Sequence, residues 1–139
     1  MRYLLAPLRR YADFGGRSRR REYWLWLLFV VAALLALMYL DAALGLGGSA
    51  ESYAGDGAVG FRLSGGLLTL LFALAMFVPG LAVSVRRLHD VDRSGWTLLL
   101  ALIPFVNLYL LYLYVQPGTA GDNRYGPDPK AGDLGEVFA

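Results

Sequence analysis

Three long uncharged runs dominate the hydropathy pattern of the chain, and short polar segments separate them. The runs cover residues 23–40, 67–85 and 96–115. As α-helices that rise 1.5 Å per residue they are roughly 27 to 30 Å long, close to the ~30 Å hydrocarbon core of a bilayer. The pattern therefore predicts an all-α integral membrane protein with three transmembrane helices, forming one membrane domain over residues 1–139.

Prolines in two of these runs leave the topology open. Pro79 in the second run and Pro104 in the third each remove a backbone donor and favour a kink. Pro104 and Asn107 also allow the third run to turn back as a re-entrant hairpin with arms of roughly 12 Å, provided that protein shields its backbone. A full crossing and a re-entrant hairpin place the C-terminal tail on opposite faces of the membrane.

The placement of arginine predicts which face each polar segment occupies. Seven of the twelve arginines lie in the N-terminal arm (1–22), three lie in the loop 86–95, and only Arg62 lies in the connection 41–66. By the positive-inside rule the arm and the loop 86–95 are cytoplasmic. The glycine-rich connection is predicted to be a flexible loop on the other face, and three crossings place the turn-rich tail (116–139) on the periplasmic or external side.

The N-terminal arm has the pattern of an interfacial amphipathic helix. Its apolar side chains recur at helical spacing between charged positions, and Pro7 suits only a first helical turn. Tyr23 and Trp24 follow at the level expected for lipid headgroups. The apolar positions of this predicted helix are Leu4, Leu5, Leu8, Tyr11 and Ala12.

The segment RRLHDVDRSGW at 86–96 is rich in polar side chains, and its residue types exclude several kinds of site. Residues 90–95 reproduce the first half of a calcium loop, but the twelfth position is Ala101 rather than glutamate. One histidine and no cysteine leave too few ligands for zinc. The sequence shows no set of nucleophile, base and orienting residue. It therefore predicts no metal, no cofactor and no enzymatic activity.

The arginines of this segment and of the arm are a candidate anion site. Arg86, Arg87 and Arg93 can form a fork for phosphate or carboxylate, and each arginine near an anionic leaflet contributes about 1 kcal/mol. Internal pairing with Asp90, Asp92 or Glu22, together with snorkelling to the lipid headgroups, is the favoured alternative. The predicted partners are the bilayer, with anionic phospholipid, and a protein partner or a second copy of the chain, but no nucleic acid. The candidate headgroup-binding residues are Arg17, Arg20, Arg86, Arg87 and Arg93.

Three polar motifs flank the apolar runs: FGGRSRRREYW at 14–24, RRLHDVDRSGW at 86–96 and PGTAGDNRYGPDP at 117–129. Together, and in this order, they resemble the domain-of-unknown-function 805 (DUF805) family of small bacterial inner-membrane proteins. Thr97 departs from the family pattern, which has a second tryptophan there. The resemblance implies a helical protein of the bacterial inner (plasma) membrane with polar motifs at the membrane edge. It adds weight to the polar residues Glu22, His89, Asp90, Asn123, Tyr125 and Asp128.

Two functions are compatible with these features. The first is a non-enzymatic membrane protein that binds anionic lipid or a protein partner through its cytoplasmic arginine face. The alternative is a transporter component or membrane enzyme acting on a phosphate-bearing substrate, with Arg86 and Arg87 as a clamp and His89 as acid or base. We also expect Glu22 to pair with an arginine of residues 86–93, which would join two motifs on one face.

Overall fold

The computed structural model describes residues 7–55 and 58–130, which form helices and one β-hairpin. The described residues fall into two compact units. The polar unit comprises those of Met1–Leu27 and Val78–Ala139, and the hairpin unit comprises those of Leu28–Phe77. In chain order the elements are α1 (Arg20–Leu44), β1 (Ser49–Gly55), β2 (Ala58–Ser64), α2 (Leu67–Asp90), a 3-10 helix (Gly95–Leu102) and α3 (Asn107–Val115).

Helices α1 and α2 are long and apolar, and they expose most of their surface. With 25 and 24 residues they are roughly 37 and 36 Å long at 1.5 Å per residue, enough to cross a ~30 Å core. In the most apolar 18-residue stretch of each helix, only 6% of α1 and 17% of α2 is buried within the protein. A core helix of a soluble protein is instead covered along its apolar face. Two of the three predicted transmembrane segments thus form continuous helices of sufficient length.

Helix α1 ends at Gly45 in a Schellman motif, because Gly45 adopts a φ of +65° that a residue with a Cβ rarely takes. The Gly45 N–H donates to the Ala42 carbonyl at 3.3 Å, and the Leu46 N–H donates to the Asp41 carbonyl at 2.9 Å. These bonds satisfy two carbonyls that the helix end would otherwise leave open.

The Asp41 carboxylate caps the start of α2. It accepts hydrogen bonds from the backbone N–H groups of Gly66, Leu68 and Thr69, each at 2.9 Å, and from the Thr69 hydroxyl at 2.7 Å. Because the first N–H groups of a helix have no intrahelical partner, this side chain satisfies donors that would otherwise be unpaired. Asp41 therefore ties α1 to α2 within the hairpin unit.

Strands β1 and β2 form an antiparallel hairpin where the sequence predicted a flexible loop over 41–66. Their register pairs Ser49 with Ser64 and Glu51 with Arg62. The two serine hydroxyls lie 2.8 Å apart. The all-α prediction is therefore wrong for this segment. The sequence did not predict these strands, because glycine lowers strand propensity and the segment has no alternation of apolar and polar residues. Cross-strand pairs of side chains can stabilise a hairpin without such alternation.

The third apolar run is not one continuous helix. Ser94 caps the 3-10 helix, because its hydroxyl accepts the backbone N–H of Trp96 at 3.4 Å. The chain then breaks around Phe105, which has a φ of +67°, and resumes as α3. Pro104 lacks the N–H that a continuous helix would use there. Three transmembrane helices are thus not confirmed: among the described residues only α1 and α2 are long and apolar enough to cross.

The N-terminal arm lies partly outside the described residues. Residues 7–9 are helical and 10–12 form a turn, so the predicted interfacial helix is described only from Pro7 onwards. Leu4 and Leu5, two of its predicted apolar positions, lie outside the described residues.

The core of the polar unit combines apolar and charged side chains. Tyr23 of α1 stacks on Tyr114 of α3, with 4.5 Å between the ring centroids. Charged and hydroxyl side chains are buried beside these rings, which an ordinary core avoids unless each polar group has a partner. The buried apolar residues are Tyr23, Trp26, Ala82, Val83, Leu88, Leu110, Leu113 and Tyr114, and the buried polar residues of this unit are Arg17, Ser18, Arg86, Arg87 and Asp90.

Candidate functional site

The three polar motifs of the sequence meet in one place, at the start of α1 and the end of α2. We call this set of side chains the motif cluster. Residues from all three motifs contact one another directly, although more than 100 positions separate the first from the last. The cluster consists of Gly16, Arg17, Arg87, His89, Asp90, Gly118, Thr119, Asn123 and Tyr125.

Asp90 is the centre of the motif cluster. Its carboxylate lies 3.0 Å from the Arg17 guanidinium and 2.5 Å from that of Arg87. All three side chains are at most 5% exposed. Burying charges is costly unless they are paired and their remaining polar atoms are hydrogen-bonded. The two arginines therefore need further acceptors, and the backbone of the tail supplies them.

Arg17 binds the tail through its remaining N–H groups. Its Nη1 donates to the Gly121 carbonyl and its Nη2 to the Thr119 carbonyl, each at 2.6 Å. The Asp90 carbonyl in turn accepts the Thr119 N–H at 2.8 Å and the Thr119 hydroxyl at 3.1 Å. Gly118 lies against the Asp90 carboxylate so closely that a Cβ there would overlap it. The described part of the tail, residues 118–130, thus packs on the polar unit.

Arg87 and Arg20 cap the C-terminus of α3. Arg87 donates to the Tyr114 carbonyl at 3.3 Å and to that of Gln116, and Arg20 donates to the Val115 carbonyl at 3.2 Å. The last carbonyls of a helix lack intrahelical partners and form the negative end of its dipole. Two cations at this end therefore satisfy both the hydrogen bonds and the charge of α3.

His89 packs against Tyr125 of the tail. The two rings are parallel, with an interplanar angle of 3° and 3.9 Å between centroids. The His89 Nδ1 lies 3.2 Å from the Gly16 carbonyl, and the Asn123 amide donates to the His89 carbonyl at 2.9 Å. Burial lowers the pKa of His89, and the nearby Arg124 lowers it further, whereas the Gly16 carbonyl raises it. His89 therefore joins all three motifs.

Asp128 stabilises the turn that ends the described part of the tail. Its carboxylate accepts the backbone N–H of Lys130 at 2.9 Å and that of Gly121 at 3.1 Å. These hydrogen bonds hold the pKa of Asp128 below its usual value. The turn thereby places Lys130 beside the start of α1.

Arg86 differs from the other buried arginines. Its side chain is fully buried, and none of its three nitrogens has a hydrogen-bond partner. Glu22 is its ion-pair partner, at 3.9 Å, which confirms the predicted pairing of Glu22 with this segment. Ser18, whose N–H donates to the Arg86 carbonyl at 3.1 Å, also has a buried hydroxyl without a partner. A polar group left unpaired in this way costs free energy.

A cleft of about 310 Å³ opens beside the motif cluster and is lined mainly by cations. We call it the cationic cleft. Arg19, Arg20 and Arg21 approach it from the start of α1, and Lys130 approaches it from the tail. Asp90 and Gly118 complete the lining. Because Asp90 is already paired with two arginines, the lining is strongly positive and suits an anionic ligand.

The predicted site residues divide between these features. Arg20 lines the cationic cleft, Arg17 and Arg87 are paired internally, and Arg93 is exposed and lies outside the cleft lining. Headgroup binding by any of the five predicted arginines stays a prediction. His89 does not line the cleft, and the described residues contain no group of acids and histidine that could hold a metal.

Sequence reasoning missed part of the cleft. Arg19 and Arg21 stand in the run RSRRR, which it did single out, so their proximity to Arg20 was a usable signal. Nothing in the sequence around Lys130 indicated that it lines the cleft, because only the fold of the tail brings it close to the start of α1. Gly118 and Thr119 were overlooked because their role is backbone approach rather than side-chain chemistry.

The fold and the site define a small helical membrane protein whose polar motifs meet in one cluster, with buried ion pairs at its centre, at the end of two apolar helices. The chain belongs to the DUF805 family: the family profile described as "Protein of unknown function (DUF805)" matches residues 11–127, which confirms the resemblance.

Relatives in Escherichia coli K12 support the same class. The chain is 40% identical to "Inner membrane protein YhaH" over 131 residues, covering 94% of this chain and 98% of that protein. It is 39% identical to "Inner membrane protein YhaI" over 135 residues, covering 95% and 98%. It is 29% identical to "Uncharacterized protein YiiR" over 143 residues, covering 84% and 85%. No solved structure matches the chain significantly.

Proposed function

We propose that this protein crosses the inner membrane twice, carries a re-entrant third segment, and binds the headgroup of an anionic phospholipid in the cationic cleft on the cytoplasmic side. It acts as a non-enzymatic lipid-binding protein. The observation that carries the proposal is the cationic cleft itself, which three consecutive arginines and Lys130 line beside the start of a membrane helix.

The contacts of the third run support a re-entrant topology. The run begins at Gly95, a few residues after Asp90, and its far end returns to Arg87 through the Gln116 carbonyl. Segments that contact each other must lie on the same face of a membrane. The 3-10 helix is roughly 16 Å long at ~2.0 Å per residue and α3 roughly 14 Å at 1.5 Å per residue, about half of a ~30 Å core.

The exposed side chains of this segment fit insertion into one leaflet. Phe105, at the break between its two arms, is 86% exposed, and Leu102 is 81% exposed. Exposed apolar residues at a hairpin tip are unfavourable in water but favourable in a hydrocarbon layer. Arg87 bonds the backbone carbonyls at the end of α3, and Ser94 accepts a backbone N–H at the start of the 3-10 helix. Irregular segments inside a membrane require such partners for their backbone.

The positive-inside rule places this side in the cytoplasm. The described arginines of the arm and those of residues 86–93 belong to the polar unit, whereas Arg62 is the one arginine among the described residues of the hairpin unit. On the cytoplasmic leaflet the cleft meets anionic phospholipid, and Tyr23 and Trp24, one residue beyond its arginines, stand where headgroup-level aromatics are expected.

Single-cysteine labelling tests the topology, and the absence of native cysteines gives a clean background. Ser52→Cys, Ser94→Cys and Ala120→Cys are each treated with a membrane-impermeant maleimide in spheroplasts and after permeabilisation. We expect Ser52→Cys to react in intact spheroplasts and the other two only after permeabilisation. Labelling of Ala120→Cys in intact spheroplasts would mean three crossings and would overturn the re-entrant topology.

Lipid retention tests the binding function. The purified chain is reconstituted in nanodiscs of phosphatidylcholine with phosphatidylglycerol, and bound lipid is measured by native mass spectrometry. We expect Arg21→Gln/Lys130→Gln to lose phosphatidylglycerol, whereas Arg9→Gln/Arg93→Gln, which removes the same charge outside the cleft lining, retains it. Equal loss in both variants, or no preference for phosphatidylglycerol in the native chain, would reject a specific site in the cleft.

A further inference from the structure

We infer that the cationic cleft holds two phosphate groups of one lipid headgroup, as in diphosphatidylglycerol, rather than a single phosphodiester. This inference rests on the proposed function and names the lipid class of that site. It comes from three properties of the cleft: its charge, its two-sided construction and its size.

The charge of the cleft exceeds what one phosphodiester can neutralise. Arg17 and Arg87 together already outnumber the one carboxylate of Asp90, so the cluster behind the cleft keeps a positive charge. The lining adds three arginines and Lys130. Like charges held close together repel one another strongly where water is partly excluded. A ligand with two negative charges relieves this repulsion more completely than a ligand with one.

The cations reach the cleft from two separate segments. One segment is the start of α1, where Arg19 precedes the helix and Arg20 and Arg21 lie in its first turn. The other segment is the turn of the tail that Asp128 stabilises, which ends at Lys130. The start of α1 adds the positive end of a helix dipole on the arginine side only. One phosphate is therefore expected against the arginines and the second against Lys130. Diphosphatidylglycerol offers this arrangement, because a glycerol joins its two phosphodiesters.

The size of the cleft fits a headgroup of this kind. Its volume of about 310 Å³ lies at the small end of the ~300–1,000 Å³ found for ligand pockets. Basic pockets between membrane helices on the cytoplasmic side are a known setting for lipids with several phosphates. The acyl chains need no room in the cleft, since they stay in the bilayer beside α1.

A comparison of two anionic lipids, each supplied at the same total concentration of phosphate groups, tests the inference. The full chain in phosphatidylcholine nanodiscs receives either diphosphatidylglycerol or twice the molar amount of phosphatidylglycerol, and lipid bound per protein is measured by native mass spectrometry. We expect about tenfold tighter binding of diphosphatidylglycerol, which corresponds to ~1.4 kcal/mol. Lys130→Gln should remove this preference while anionic binding to the arginines persists. Arg9→Gln, the matched control, should keep it.

The possible outcomes distinguish failure of this inference from failure of the proposed lipid-binding function. Equal binding of the two anionic lipids per phosphate overturns the paired-phosphate site but keeps the lipid-binding function. Equal binding of anionic and zwitterionic lipid overturns both. Soluble pyrophosphate, tested with lipid-depleted protein in detergent, is expected to give little thermal stabilisation. Stabilisation by pyrophosphate that matches diphosphatidylglycerol and needs Lys130 would assign the cleft to a soluble diphosphate and overturn the lipid.

Discussion

Arg17 and Asp90 form a buried ion pair across 73 positions of sequence, with 3.0 Å between Arg17 Nη2 and Asp90 Oδ1. The pair joins the first polar motif to the second, and Thr119 of the third motif bonds to both partners. One contact thus gathers all three motifs at the end of the apolar helices. Most of the bonds of these motif residues therefore stabilise the packing of the three motifs, and the cationic cleft lies beside this packed cluster.

Asp90→Asn tests whether this pair stabilises the polar unit. The substitution leaves two buried guanidinium groups facing a neutral amide, and breaking a buried ion pair typically costs about 3–5 kcal/mol. We expect a large fall in thermal stability in detergent and faster protease cleavage of the tail. Asp92→Asn is the matched control, because its partner Arg124 is exposed and such pairs contribute about 0–1 kcal/mol. Equal effects of the two variants would contradict a central role for Asp90.

Gly118→Ala tests the close approach of the tail to Asp90. A Cβ at Gly118 would overlap the Asp90 carboxylate, so the tail or the ion pairs must shift. Overpacking of this kind costs about 1–3 kcal/mol, and we expect a matching loss of thermal stability. Gly80→Ala is the control, since nothing lies within 4 Å of a Cβ there. An unchanged melting temperature for Gly118→Ala would mean that the tail does not pack on Asp90 in solution.

The sequence was sufficient for the long helices and insufficient for the segments whose structure depends on tertiary contacts. The apolar runs of α1 and α2 are continuous, so their hydropathy alone predicted them. The course of the third run depends on Arg87 and Arg20 binding the carbonyls after α3, which no local pattern encodes. Similarly, the tail contains turn-forming residues, but the position of its described part depends on contacts with Arg17, His89 and Asp90, which no local pattern encodes.

The candidate site was predictable to a similar degree. The sequence pointed to Arg17 as a candidate arginine and, through the family resemblance, to Asp90 and Asn123. The expected link between Glu22 and the second motif was found at Arg86. The cleft was not predictable, because its walls come from residues 19–21 and from Lys130. These segments are more than 100 positions apart in the sequence, and only the folded structure shows that they lie next to each other.

Arg86→Met tests whether the buried Arg86 has a partner beyond Glu22. No acceptor lies within hydrogen-bond distance of its guanidinium, and the Glu22 side chain is 15% exposed, so water can solvate Glu22 once Arg86 is removed. The desolvation cost of the buried guanidinium then outweighs its weak attraction to Glu22. We expect Arg86→Met to retain or gain thermal stability. Arg87→Met, by comparison, should destabilise, because Asp90 and the end of α3 lose their partner. If both variants lose stability equally, Arg86 holds a bound acceptor such as ordered water.

Acidification should loosen the tail through His89, which lies beyond the apolar part of α2. Burial and Arg124 lower the pKa of His89 below its usual 6.5, so the unfolded form binds protons more readily than the folded form. The linked stability is therefore present above pH 6.5 and is lost as the pH falls through the lower pKa of the folded state. Protection factors of the amides of residues 119–126, which correct for the pH dependence of intrinsic amide exchange, measure this loss between pH 7.5 and pH 5. In His89→Gln, which cannot gain the proton, we expect these protection factors to change little over that interval. If the native chain and His89→Gln respond to pH alike, the titration lies in another group.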